Sequence, residues 1–430
     1  MADQGRTAGR GRDGRRRRAV GAALAGLLLA SGCTTAPAGT APSGTAPSGT
    51  APATPGATVR AVGATLDRRA AAVLDHDADG YLAAIAPGAT GLRTAQRREL
   101  ANLADVPLSS WTYRVTRVRE HGADRATADV ELRYRIAGYD SAPVTADRVI
   151  DLERHGADGR WYIAADRAGK DSAPQLWQQG DVRVVRGSHS LVLGVGRTRQ
   201  ELRRIADAED RAVLAVSAAW PDRWAGRVVV LVPATVEAMA GLLGAPAANY
   251  RDIAAVTTAQ TGGRAPADRV IVNPQAYAVL GAFGQQVVLT HETTHVATRA
   301  HTSAATPTWL SEGFADWAAY RGEDRTAVQL APELAEAVRA GELPAALPTD
   351  EEFAFGGDSA RLARAYEGGW LACALIADHW GEKKLFALYR AVGGHSGRDG
   401  AVEQALQEVL GTTPQDFTAR WREFLRSRLG

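Results

Sequence analysis

Two histidines and a glutamate have the spacing of two metal ligands and a general base. In the segment His291-Glu292-Thr293-Thr294-His295 the histidines are four positions apart. On a helix such residues share one face, with Cβ atoms about 5–6 Å apart, so both imidazoles can bind one zinc ion at about 2.0–2.1 Å. Glu292 lies about 100° further around the helix, where it can accept a proton from a water that the ion activates.

A second segment, residues 309–317, offers the remaining groups. Glu312 follows His295 by seventeen positions. Because a catalytic zinc has three protein ligands and one open position, Glu312 would complete a His-His-Glu set. Asp316 lies four residues later on the same helix face, where it can accept the outer N–H of a ligand histidine. The histidines themselves are predicted to lie on a helix over Gln285–Ala300.

The two segments resemble the gluzincin metallopeptidases, the thermolysin and aminopeptidase N-like group, and most closely the peptidase MA-like domains. In that family the second segment reads Pro-x-Trp-Leu-x-Glu-Gly followed by an acidic residue, and this chain matches it at Pro307, Trp309, Leu310, Glu312 and Gly313. The resemblance covers residues 181–430.

The resemblance implies a zinc-dependent peptidase that hydrolyses a peptide or protein substrate. The residues it assigns are the zinc ligands His291, His295 and Glu312, the general base Glu292 and the supporting acid Asp316. It also implies a donor that stabilises the oxyanion, which is a Tyr in the aminopeptidase N-like enzymes and a His in thermolysin. Tyr366 and His379 are the candidates, and their separation along one helix prevents both from facing the zinc. We favour Tyr366.

A different third ligand is conceivable at His301, six residues after His295, which is the metzincin spacing. That motif needs a Gly midway for a sharp turn and a Met turn downstream. Thr298 occupies the midway position, and both methionines of the chain lie upstream. We therefore interpret His301 as a polar residue beyond the helix end.

Two non-enzymatic interpretations stay open. The chain could be a binding lipoprotein that retains a vestigial metallopeptidase scaffold, or it could contain a structural zinc module. Retention of Glu292 argues against the first, because a binding protein does not need that base. A three-residue ligand set without a fourth Cys or His argues against the second.

Composition limits the choice of partners. The 430 residues carry a formal net charge of only +2, and the first 18 residues alone contain seven arginines. No basic patch elsewhere points to DNA or RNA, so no nucleic-acid partner is expected. A length of 430 residues suggests two domains.

Residues 1–33 have the features of an export signal. Arg15–Arg18 precede the apolar run Ala19–Ala30, which is too short for an ordinary membrane span. The run leads into Leu-Ala-Ser-Gly before Cys33, which resembles a bacterial lipobox. The resemblance implies lipidation of Cys33 and a lipid anchor on the extracytoplasmic face of the cell membrane, with simple secretion as the alternative. Cys373 then has no partner and is predicted to be a buried, inert thiol.

The expected fold class is α+β, in two folded parts. Residues 34–60 repeat Gly-Thr-Ala-Pro-Ser and are predicted to be a disordered linker. Residues 61–170 show helical spacing followed by alternating strands, which resembles the nuclear transport factor 2-like (SnoaL-like) cone of helices and a curved antiparallel sheet. Residues 181–430 begin with strands and become mostly helical. Val270–Asn273 is our candidate for an edge strand that pairs with substrate.

Overall fold

The computed structural model of this chain describes residues 55–155, 159–170, 172–258, 268–354 and 358–430. The predicted signal peptide, its Cys33 and the predicted linker up to residue 54 lie outside these ranges. Within them, no helix combines the length and the hydropathy that crossing a bilayer requires.

The first folded part packs helices against an antiparallel sheet. The helices are α1 (Pro55–Leu74), α2 (Ala78–Ala83) and α3 (Thr90–Asn102). The strands, in spatial order, are β1 (Leu108–Glu120), β2 (Arg125–Ile136), β3 (Val144–His155) and β4 (Arg160–Ala168). Along β2 every second residue is buried, as the alternating sequence predicts.

The helical spacing in this part of the sequence, from Leu66 to Ile85, is divided between α1 and α2, and Ile85 itself lies beyond α2. His76 has a positive φ of 55°, a conformation that ends a right-handed helix. Asp77 then caps α2, because its side chain accepts a hydrogen bond from the backbone N–H of Gly80.

The segment that connects the two sheets, between β4 and Val182, packs against the first sheet. It contains the short helix α4 (Leu176–Gln179). The Trp177 ring lies 5.9 Å from that of Trp111 and 5.0 Å from that of Tyr134, between centroids. The side-chain amide of Asn102 donates to the carbonyl of Trp177 at 2.7 Å. The connection is thus a buried part of the structure.

The second sheet is mixed, with parallel strands in its middle. Its strands are β5 (Val182–Arg186), β6 (Ser190–Val195), β7 (Val228–Val232), β8 (Ala255–Thr257) and β9 (Arg269–Val272). The spatial order is β5-β6-β7-β9-β8, with β6, β7 and β9 parallel. The edge-strand prediction for Val270–Asn273 is therefore wrong. β9 lies between β7 and β8, and β8 forms one edge of the sheet.

The two faces of this sheet have different neighbours. Helices α5 (Arg199–Ala219) and α8 (Ala282–Thr298) cover one face and pack on residues such as Val192. The opposite face, with residues such as Leu193, packs against Trp177 and the first sheet. Side chains of neighbouring strand residues point to opposite faces, which explains this division.

The rest of the second part is helical, and the α+β class is confirmed. Its helices are α6 (Val236–Leu243), α7 (Pro274–Ala278), α9 (Thr308–Tyr320), α10 (Ala327–Leu330), α11 (Pro332–Arg339), α12 (Ser359–Trp380), α13 (Glu382–Gly393), α14 (Ala401–Ala405) and α15 (Pro414–Leu429). Helices α10 and α11 are separated just before Pro332, because a proline disfavours helical backbone in the residue before it. Helices α9 and α12 cross so closely that a Cβ atom on Gly313 would collide with the backbone of Gly369.

Candidate metal centre

Helix α8 brings the two histidines together. It is buried through Val287, Val288 and Leu289, which hold it against the second sheet. One turn further on, Nε2 of His291 lies 3.1 Å from Nε2 of His295. His291 is fully buried, whereas the side chain of His295 keeps 12% of its surface exposed. The pair therefore has one side open toward solvent.

Glu312 on α9 adds a carboxylate to the two imidazoles. Its Oε2 lies 3.2 Å from Nε2 of His291 and 3.5 Å from Nε2 of His295. Within the described ranges, these three residues are the group of His, Cys, Asp and Glu side chains that could hold a metal ion. Ligands at 2.0–2.1 Å from a tetrahedral zinc are about 3.3–3.4 Å apart. The three separations of 3.1–3.5 Å fit a zinc ion.

Asp316 contacts the first histidine from the opposite side. Its Oδ1 lies 2.8 Å from Nδ1 of His291. A carboxylate can only accept here, so Nδ1 carries the proton and Nε2 keeps its lone pair for a metal. This is the position expected for Asp316 from the spacing to Glu312.

Glu292 is fully buried beside the cluster. Its Oε2 accepts a hydrogen bond of 2.7 Å from the hydroxyl of Thr257 on β8, whereas its Oε1 has no partner in the part of the chain that the structure describes. Burial raises the pKa of Glu292, and the nearby histidines oppose that rise. Thr257 is a site residue that sequence reasoning missed, because no local motif relates it to a helix 35 positions away.

Charge around the cluster favours an ionised third ligand. Burial opposes the ionisation of Glu312, but the imidazoles of His295 and His291 prevail and lower its pKa to about 2. A carboxylate that remains ionised among two histidines suits a divalent cation.

Of the two oxyanion candidates, Tyr366 is near the cluster and His379 is not. The Tyr366 ring is buried, 6.4 Å from the His291 ring and 5.0 Å from that of Phe353, between centroids. His379 is exposed near the far end of α12, with its ring 4.3 Å from that of Trp380.

His301 and Cys373 lie outside the group of three residues that could hold a metal ion. The His301 ring packs on Trp220, and its Nε2 lies 3.3 Å from Oδ2 of Asp222. Cys373 is fully buried, with Sγ 4.0 Å from the carbonyl oxygen of Leu310, which agrees with an inert thiol.

No family model matches this chain, and no curated protein matches it. Among solved structures, it is similar to native yeast LTA4 hydrolase, with 13% identity, a TM-score of 0.34, and coverage of 64% of this chain and 44% of that one. It is also similar to an M1 zinc metallopeptidase from Deinococcus radiodurans, with 14% identity, a TM-score of 0.31, and coverage of 71% and 61%. The chain thus spans less than two thirds of either protein.

Proposed function

We propose that this protein is a zinc-dependent peptidase of the gluzincin type. The observation that carries the proposal is the triangle of His291, His295 and Glu312 with the buried carboxyl group of Glu292 beside it. A purely structural zinc site needs no such base, and it normally has a fourth protein ligand.

Each residue of the site then has a role in hydrolysis. His291, His295 and Glu312 would hold zinc, which when bound lowers the pKa of a water to about 7 and polarises the carbonyl group of the substrate. Glu292 takes the proton from the attacking water and delivers it to the leaving amine. Asp316 fixes the orientation of His291.

Glu292 has one oxygen available for this proton transfer. The Thr257 hydroxyl holds Oε2 at 2.7 Å, which fixes the orientation of the carboxyl group. Oε1, which has no partner among the described residues, is the atom that receives the proton. Tyr366 lies on α12, with its ring near that of His291. We assign it as the donor to the developing oxyanion.

The edge strand next to the site supports a peptide as substrate. Thr257, which contacts Glu292, is the last residue of β8, and β8 is one of the two edge strands of the second sheet. An extended peptide can pair with an edge strand through backbone hydrogen bonds. We therefore propose that the substrate pairs with β8, and not with β9.

We further propose that the enzyme acts outside the cytoplasm, anchored to the membrane by a lipid on Cys33. The support is the arginine run, the short apolar segment and the small residues before Cys33. Residues 34–60 would be the tether. The two folded parts would be a nuclear transport factor 2-like domain at 61–170 and the peptidase domain at 181–430.

The test combines zinc content with hydrolysis of a peptide mixture. We expect one zinc per chain in the purified protein and its loss in His295→Ala. Glu292→Gln should keep the zinc and the fold but lower the hydrolysis rate by about 10²–10⁴-fold, because general base catalysis typically contributes that factor. Glu323→Gln, the same change at an exposed position after α9, serves as the matched control and should hydrolyse like the wild type.

Three outcomes would contradict the proposal. Hydrolysis at the wild-type rate in Glu292→Gln would show that this residue is not the base. Bound zinc without hydrolysis of any peptide would favour the non-catalytic binding protein. A failure to bind supplied zinc would show that the ligand set is not functional.

A further inference from the structure

A cavity lies between the first folded part and the second sheet. Its volume is about 250 Å³. The walls include Tyr134, Ile136 and Val144 from the first sheet, Trp177 from the connecting segment, and Leu231 and Ile271 from the second sheet. Both parts of the chain are therefore needed to form it.

The cavity is adjacent to the candidate active site along the edge strand. Thr257 directs its hydroxyl to Glu292 on one face of the second sheet. The next residue, Thr258, lines the cavity on the opposite face, because side chains alternate along extended backbone. Thr258 is still paired with β9, since its N–H donates to the carbonyl oxygen of Arg269 at 2.9 Å. Two consecutive residues of the chain thus contact Glu292 and line the cavity.

A second contact joins the cavity to the metal-binding helix. Asp268 lines the cavity, and its Oδ2 lies 2.9 Å from Nε of Arg299. Arg299 directly follows α8, four positions after His295. This ion pair therefore links the cavity wall to the helix that carries the two histidines.

The chemistry of the walls favours an apolar occupant. The charged residues that line the cavity are already paired, Arg269 with Asp140 and Asp268 with Arg299. The Tyr134 hydroxyl donates to Oε1 of Gln175 at 2.6 Å. The volume of about 250 Å³ is slightly below the roughly 300–1,000 Å³ typical of small-molecule sites, which suits one large side chain.

We propose that this cavity is the subsite for a large apolar side chain of the peptide substrate, one residue away from the residue that faces the metal centre. A peptide paired with β8 alternates its side chains between the two faces, so that one meets Glu292 and its neighbour enters the cavity. The first folded part then selects the substrate. This inference rests on the proposed peptidase function.

The experiment starts with the zinc-loaded full chain and a mixture of unstructured peptides, whose cleavage products give the residue preference around the cut. We expect enrichment of Phe, Leu or Trp at one position next to the scissile pair. Two synthetic peptides are then compared, with Phe or Ala at that position. Val144→Trp fills the cavity from the first sheet, and Leu242→Trp fills it from α6. Each should lower the ratio of kcat/KM for the Phe peptide to that for the Ala peptide at least tenfold.

Controls separate a filled cavity from a damaged fold. Val118→Trp, the same change at a half-buried β1 position outside the cavity lining, should keep the wild-type ratio. A second readout without turnover uses zinc-loaded Glu292→Gln, whose preference for the Phe peptide in a binding assay should also fall at least tenfold when Val144→Trp is added.

The outcomes distinguish the two proposals. Cleavage without an apolar preference, or a preference that both folded, zinc-loaded cavity variants retain, overturns the subsite and leaves the peptidase intact. If the zinc-loaded wild type cleaves no peptide, the peptidase proposal is overturned, and the subsite falls with it.

Discussion

Asp316 contacts a candidate ligand histidine and lies outside the group of three residues that could hold a metal ion. Its contact of 2.8 Å with Nδ1 of His291 selects the tautomer and the ring orientation that leave Nε2 for the metal. Asn at this position preserves the side-chain volume but removes the negative charge. We expect Asp316→Asn to weaken zinc affinity by about 10–100-fold, measured by competition with a chromogenic chelator.

The matched control is Asp324→Asn. This exposed residue follows α9, and the same substitution there should leave zinc affinity unchanged. Equal zinc affinity in Asp316→Asn and the wild type would mean that the aspartate does not support its histidine.

The positions of site residues could be predicted from the sequence where two of them lie on the same helix. Spacings of four positions correctly placed His291 beside His295 and Asp316 on the Glu312 side of the same histidine. The Thr257 contact was beyond such reasoning, because it depends on which strand forms the sheet edge.

Glu209 joins helix α5 to helix α8. Its Oε1 accepts a hydrogen bond of 2.5 Å from the hydroxyl of Thr293, and its Oε2 has no partner in the described ranges. Burial raises the pKa of Glu209 from 4.5 to about 8, and the nearby carboxyl groups of Asp210 and Glu292 add to the rise. Tyr277 on α7 also faces Glu209.

This raised pKa makes stability depend on pH. Between pH 4.5 and 8 the folded chain keeps a proton on Glu209 that the unfolded chain releases. The stability that the protonated Glu209 gives the folded chain is therefore fully present below about pH 4.5 and is lost as the pH rises through about 8. Gln has no such proton to lose. From pH 5 to pH 8, Glu209→Gln should gain on the order of 1–3 kcal/mol in free energy of unfolding relative to the wild type.

Urea unfolding at several pH values measures this difference. Asp207→Asn, an exposed position on the same helix, is the control and should follow the wild-type pH profile. A constant difference between Glu209→Gln and the wild type at every pH would show that Glu209 is ionised in the folded chain.

Elements were predictable where the determining residues are neighbours in sequence. Thr198 and Glu201, three positions apart, form a capping box at the start of α5. The position of β9 was not predictable, since its strand neighbours are decided by contacts between distant segments. The break between α10 and α11 also has a local cause, because Pro332 disfavours helical backbone in the residue before it.

At the scale of the whole molecule, one buried ion pair joins the two folded parts. Arg269 on β9 donates two hydrogen bonds of 2.8 Å to Asp140, which follows β2, and both side chains are under 10% exposed. Asp140→Ala would leave a buried guanidinium without its partner. We expect a loss of about 3–5 kcal/mol in the free energy of unfolding, measured by chemical denaturation.

An exposed pair within the first sheet provides the comparison. Arg119 and Asp129 also form two hydrogen bonds, but their side chains are about one third exposed. Asp129→Ala should therefore cost less than about 1 kcal/mol. If Asp140→Ala and Asp129→Ala lower the free energy of unfolding by similar amounts, the buried pair stabilises the protein no more than the exposed pair does.

The packing of Trp177 gives the molecule an optical signal of its own. Its indole is held 5.9 Å from that of Trp111 and 5.0 Å from the Tyr134 ring, and such fixed aromatic packing produces near-ultraviolet circular dichroism that disappears when packing is lost. Trp177 belongs to the connecting segment, whereas the other two rings belong to the first sheet. The part of this signal that Trp177→Phe removes therefore reports whether the connecting segment stays packed on the first sheet while metal is removed or peptide is added.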